Sequence, residues 1–226
     1  ITKFRIPGLN FSIKDSTATD NYVLTVDSNG DAGWEAAAAG VSSDSVQNTI
    51  GGTDAGAALS GSGTGDNTFF GADAGKVVTS GNGNTCIGKN AGETITTGSN
   101  NILIGNNCAG PGDNLTGAGS NLVIGYGASC GNSYYNVHIG PDAGSPNTSG
   151  EENTSVGNET LSALTSAEFN SAFGAGAGKA ITTGDKNTAL GYQALYANTT
   201  GHSNTAVGSQ AFDANTTGYE SVAIGM

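Results

Sequence analysis

Residues 187–203 read Asn187-Thr188-Ala189-Leu190-Gly191-Tyr192-Gln193-Ala194-Leu195-Tyr196-Ala197-Asn198-Thr199-Thr200-Gly201-His202-Ser203. Residues 204–220 repeat the phrase as Asn204-Thr205-Ala206-Val207-Gly208-Ser209-Gln210-Ala211-Phe212-Asp213-Ala214-Asn215-Thr216-Thr217-Gly218-Tyr219-Glu220. A fixed period of this size is the mark of a solenoid, in which each unit buries its apolar face against its neighbours. The motif Asn-x-x-apolar-Gly carries the register backwards through Asn67, Asn84, Asn101, Asn121, Asn136, Asn153, Asn170, Asn187 and Asn204, and Ser221 opens a variant copy. The steps are 17 residues except for one of 20 and one of 15, side by side in the middle.

Glycine is too frequent within each copy for a stable helix, so a copy is strand and turn. Along a strand, positions two and four of the motif share one face and position three takes the other. Position four is Phe70, Ile87, Ile104, Ile124, Ile139, Val156, Phe173, Leu190, Val207 or Ile224. These ten are read as a stacked interior column, each contributing on the order of 1.5–3 kcal/mol when buried. The small residues at position three and the Ala at position eight (Ala74, Ala91, Ala128, Ala143, Ala177, Ala194, Ala211) are read as a contact surface for another copy of the chain. Gly at position five permits a positive φ and a corner. A second corner is expected at Gly81, Gly98, Gly184, Gly201 and Gly218, with short second strands over 93–97 and 179–183.

Ser221-Val222-Ala223-Ile224-Gly225 resembles the repeat in the head domain of trimeric autotransporter (YadA-like) adhesins. The longer form at 187–201 is similar to repeats common in phage tail fibres. The resemblance covers residues 67–226 and implies an all-β, left-handed parallel β-roll or β-solenoid of ~17-residue coils assembled as a homotrimer. It further implies a structural and host-attachment segment of a phage tail fibre, located on the virion and partnered by itself, other tail proteins and a host cell-surface glycan or protein. The alternatives are the passenger head of a bacterial trimeric adhesin on the cell surface and, more remotely, a polysaccharide-degrading tailspike.

With 38 Gly, 36% hydrophobic residues and 12% charged ones, the chain lacks the large apolar side chains of an ordinary globular core. A strict period argues against disorder. The net charge of −12 and the absence of a Lys/Arg cluster disfavour nucleic acid and anionic membrane surfaces as partners. The sequence starts at Ile1 rather than Met and stops at Met226 inside a copy, so a longer protein is expected. Residues 1–40 break the period and form an expected small β-element, with strands over 4–6, 11–13 and 22–26, a turn at 27–30 and Trp34 capping an apolar cluster. The phrase from Tyr22 to Trp34 resembles a β-element found in phage tail fibres before repeat or receptor-binding regions. Residues 41–66 read as a linker and a degenerate first coil at Asn48-Thr49-Ile50-Gly51, and 67–226 as the array.

The irregular middle copies supply the candidate receptor-binding residues Tyr126, Asn132, Tyr134 and Tyr135, because Tyr offers a rigid stacking face and Asn adaptable hydrogen bonds. Neutral loop drift explains the same irregularity. Enzymatic signals are weak, and no enzyme is expected. His138 and His202 have no nucleophile motif beside them, and the acidic residues fall in turns at different points of the repeat, short of the paired carboxylates of a glycosidase. Residues 61–66 match the calcium-binding nonapeptide imperfectly, so neither metal nor cofactor is implied. Cys86, Cys108 and Cys130 are expected to be free thiols, and the Asn column to close turns and bond from coil to coil. Thr rows can order ice, but Thr183, Thr200 and Thr217 line up in only part of the array.

Overall fold

The structure is a computed structural model that describes residues 22–26, 32–36, 42–43, 47–59, 64–110, 113 and 115–225. The chain divides into two compact units, Ile1–Gly40 and Val41–Met226. In the first, β1 (Tyr22–Val26) and β2 (Ala32–Ala36) pair antiparallel, with Leu24 opposite Trp34. The expected strands at 4–6 and 11–13, the turn at 27–30 and the Trp34 side chain lie outside the described residues.

The second unit is a β-solenoid of eleven parallel strands, one per coil. They are β4 (Thr49–Gly51), β5 (Thr68–Phe70), β6 (Thr85–Ile87), β7 (Ile102–Ile104), β8 (Leu122–Ile124), β9 (Val137–Ile139), β10 (Thr154–Val156), β11 (Ser171–Phe173), β12 (Thr188–Leu190), β13 (Thr205–Val207) and β14 (Val222–Ile224). The short β3 (Ser42–Ser43) pairs antiparallel along the outer edge of β4. Thr49–Gly51 is the first of the parallel strands, with Ile50 opposite Phe69. Equivalent residues pair throughout, Ala189 with Ala206 and Leu103 with Val123, and Val123 pairs with His138 across the coil of 15. The expected second strands over 93–97 and 179–183 are turns, although their amides still bond to the neighbouring coil, as Thr182 N does to Thr199 O at 3.0 Å.

The glycine at position five is required twice over. Gly71 has φ 136°, and a Cβ there would lie 2.5 Å from the carbonyl oxygen of Gly88 in the next coil. At the other corner Gly81 has no positive φ; its lack of a side chain lets the backbone of Gly98 pass close by.

The structure corrects the assignment of inside and outside. Position three is the interior: Phe69, Cys86, Leu103, Val123 and His138 are fully buried. The column read as core faces outward in the single chain. Phe70 is 50% exposed and Leu190 48%; Ile87, Phe173 and Ile224 are also exposed, and Ile104, Ile124, Ile139, Val156 and Val207 are only half-buried. The small stripe at positions three and eight is therefore not a contact surface between copies; Ala74, Ala91, Ala128, Ala143, Ala177, Ala194 and Ala211 line the inside of the coil. The reason is girth. Alternation says that positions three and four oppose each other and leaves open which is inside. A coil this short encloses one residue from position three, one small residue from position eight, and an aliphatic from position twelve such as Val78, Ile95 or Ile181. Where position three is small, position nine adds a buried side chain, as at Leu161 and Leu195; with these the interior is filled, and the position-four side chains stay outside.

Candidate functional site

Two surfaces leave the coil interior unused. One is the outer face of the parallel sheet. At positions two and four of β4 to β14 every residue is Gly, Ser, Thr or apolar, so a charge-free strip runs up the array, with Ile102 and Ile104 on one strand and Val222 and Ile224 on another. Eleven strands spaced by about 4.8 Å make this strip roughly 48 Å long. Exposed Phe70, Ile87, Ile102, Phe173 and Leu190 give it an apolar character unusual for a surface in water.

The second surface is the corner before each strand, at positions sixteen and seventeen. Tyr134 and Tyr135 sit here, both exposed, with ring centroids 6.2 Å apart and planes tilted by 43°. Tyr134 lies over Gly119 of the preceding coil, where a Cβ would come within 3.1 Å of its Cε1. Tyr135 takes φ 60° and donates its amide to the Gly119 carbonyl. The Asn132 Oδ1 accepts from the Gly117 amide at 2.8 Å, which ties the shortened coil to the one before it. Tyr126 does not join them. It follows β8, whereas Tyr134 and Tyr135 precede β9, so it lies at the other end of the paired strands. The corner is acidic next to the tyrosines: the Glu152 amide donates to the Tyr134 carbonyl, and Glu151 stands at position sixteen of the same coil.

Reading by single motifs missed other members of this corner. Phe169 occupies the same position as Tyr135, with φ 59°, and Tyr219 the same position as Tyr134. Tyr219 stacks on His202 of the preceding coil at 5.3 Å with planes 11° apart. Writing the sequence in rows that begin at each motif Asn brings these residues into one column.

His138 lies inside. Its Nδ1 is 2.7 Å from Ser155 Oγ and its Nε2 has no protein partner. Burial lowers its pKa to about 4. The three cysteines are free and buried; desolvation raises all three thiols, that of Cys108 to about 12, so they stay protonated and inert at neutral pH. Burial also raises Asp113, against a hydrogen bond from Ser129 that lowers it. Among the described residues no group of three or more His, Cys, Asp or Glu could hold a metal ion, and no helix is long and apolar enough to cross a membrane. No family model, no curated protein and no solved structure matches the chain.

Proposed function

We propose that this chain is a structural and host-attachment segment of a phage tail fibre, in which three copies pack through the charge-free strip and the solenoid acts as a stiff spacer. The single observation that carries this reading is the outward-facing apolar column at position four, from Phe70 to Ile224, in which Phe70, Ile87, Phe173, Leu190 and Ile224 are exposed and the rest half-buried. A second copy of the same chain suits that column best. An identical chain in register presents an identical column, and chains each carrying −12 approach most easily along a face without charge. The left-handed coil and the number three rest on the resemblance to trimeric adhesin repeats. The acidic corner around Tyr134 and Tyr135 favours a neutral glycan or a basic protein patch over an anionic sugar as host ligand.

Light scattering of the purified chain tests the assembly. The expected mass is three times the 22.2 kDa chain. Ile104→Cys should cross-link between chains on mild oxidation, while Cys86, Cys108 and Cys130 of the unmodified chain should not. A monomer at micromolar concentration, or cross-linking through the native cysteines, would overturn the assembly.

A further inference from the structure

The interior of the solenoid is not continuous. One apolar cluster runs from Ala55 to Ala143 and a second from Leu161 to Ala211. Between them two positions that are apolar in every other coil turn polar: position three is His138 and then Ser155, and position eight of the second coil is Thr160, all buried; position twelve of the first coil is a buried Asn147, as it also is at Asn198 outside the seam. Asn147 is satisfied by the Gly150 amide and carbonyl, both at 2.8 Å, and Thr160 Oγ1 donates to the Gly174 carbonyl. His138 is satisfied on one side only: Nδ1 faces Ser155 Oγ, and Nε2 lies against Gly144, where a Cβ would meet it at 2.6 Å.

We propose that the coils spanning residues 136–169 are an acid-operated seam: protonation of His138 opens them while the coils on either side stay stacked. Among the described residues no carboxylate faces the ring to balance an imidazolium: Nδ1 has only the Ser155 hydroxyl, and Nε2 has no acceptor. Val123 lies below the ring and Ser155 above it. The preceding coil brings Cys130, a buried thiol that stays neutral. Asp142, Glu151 and Glu152 on the same coil, and Glu159 and Glu168 on the next, are all at least partly exposed. Glu159 is moreover engaged with Lys179. Burial is the only cause acting on His138, and it takes the group down to about 4. An opened coil returns it to about 6.5. The closed form thus binds the proton more weakly, so closure is fully favoured above about pH 6.5 and loses stability as pH falls towards about 4.

Hydrogen exchange, corrected for the intrinsic pH dependence of amides, tests this on the whole chain. The amides of Gly140, Thr154 and Gly157 bond from coil to coil across the seam; those of Gly191, Thr205 and Gly208 do the same outside it. Between about pH 7.5 and about pH 4.5 the first set should exchange roughly a hundredfold faster relative to the second. His138→Phe should abolish that difference, since Phe69 already packs against Gly75 as His138 does against Gly144. The double variant His138→Phe, Ser155→Ala also removes the hydroxyl left without its partner and should behave alike. Equal acid response in both sets, or an unchanged response in either variant, would overturn the proposal.

Discussion

At residue scale, the inside of each coil is set by an exchange of volume between positions three and nine. Phe69 faces Gly75 and His138 faces Gly144, and a Cβ on either glycine would lie within 2.7 Å of the ring. Where position three is small, position nine fills the space: Ser155 goes with Leu161, Ala189 with Leu195 and Ala206 with Phe212. Outside the shortened coil, where Ser129 stands, position nine keeps its left-handed backbone either way, φ 57° at Gly75 and 51° at Leu195, so space rather than conformation chooses the residue. Ala172 with Gly178 is filled differently, by Leu161 of the preceding coil and by Ile181. It follows that Phe69→Ala should cost about 3–5 kcal/mol in chemical denaturation. Adding Gly75→Leu should recover part of that loss, a coupling of about 0.5–3 kcal/mol in the double-mutant cycle. Strict additivity would refute the pairing.

At the scale of the element, the coils are clamped by a ladder of buried asparagines. The Asn84 amide and its Nδ2 both donate to Asn67 Oδ1, at 2.9 and 3.2 Å, and Nδ2 also donates to the Gly98 carbonyl at 2.8 Å. The pattern repeats as far as Asn204, whose Oδ1 accepts the Ser221 amide. It also crosses the irregular middle: Asn121 donates to Asn101 twenty residues back, and Asn136 to Asn121 fifteen residues back. Insertion and deletion are therefore absorbed on the turn side, leaving the strand and its asparagine in place. Asn153→Ala would strand the Asn170 amide and the Ala167 carbonyl, and would leave Asn170 Nδ2 with the Glu168 carbonyl alone. A loss of about 1–3 kcal/mol is expected in thermal or chemical unfolding, against little change for the exposed Asn158→Ala. The sequence made this ladder legible, because an Asn at one fixed position in every coil has few other uses. It also made the coil length and the turning glycines legible. It did not reveal which side of a three-residue strand is inside. Ile104 is larger and more apolar than Ala206, and size alone puts it in the core; the narrow coil reverses that choice. Nor did it gather the candidate site, since Tyr126 and Tyr135 are close in sequence yet flank opposite ends of paired strands.

For the array of coils as a whole, inversion of the strands gives the two faces of the sheet different surroundings, one in the core of the chain and one on its surface. The interior is mostly Ala and Cys with single large side chains such as Phe69, Leu103 and Leu195 among them, while a further row of apolar side chains from Phe70 to Ile224 is left on the outer strip. Each coil is closed from within by Leu103 and its equivalents, and the proposed assembly would be held from without by Ile104 and its equivalents. Neighbouring residues on one strand thus have separable roles. The most direct measurement is to compare Leu103→Asp with Ile104→Asp by circular dichroism and light scattering. Leu103→Asp should lose the ordered β-signal, because a charge would enter a dry interior. Ile104→Asp should keep that signal while falling from trimer to monomer. The reverse pattern, with Leu103→Asp folded and Ile104→Asp unfolded as a chain, would contradict the account.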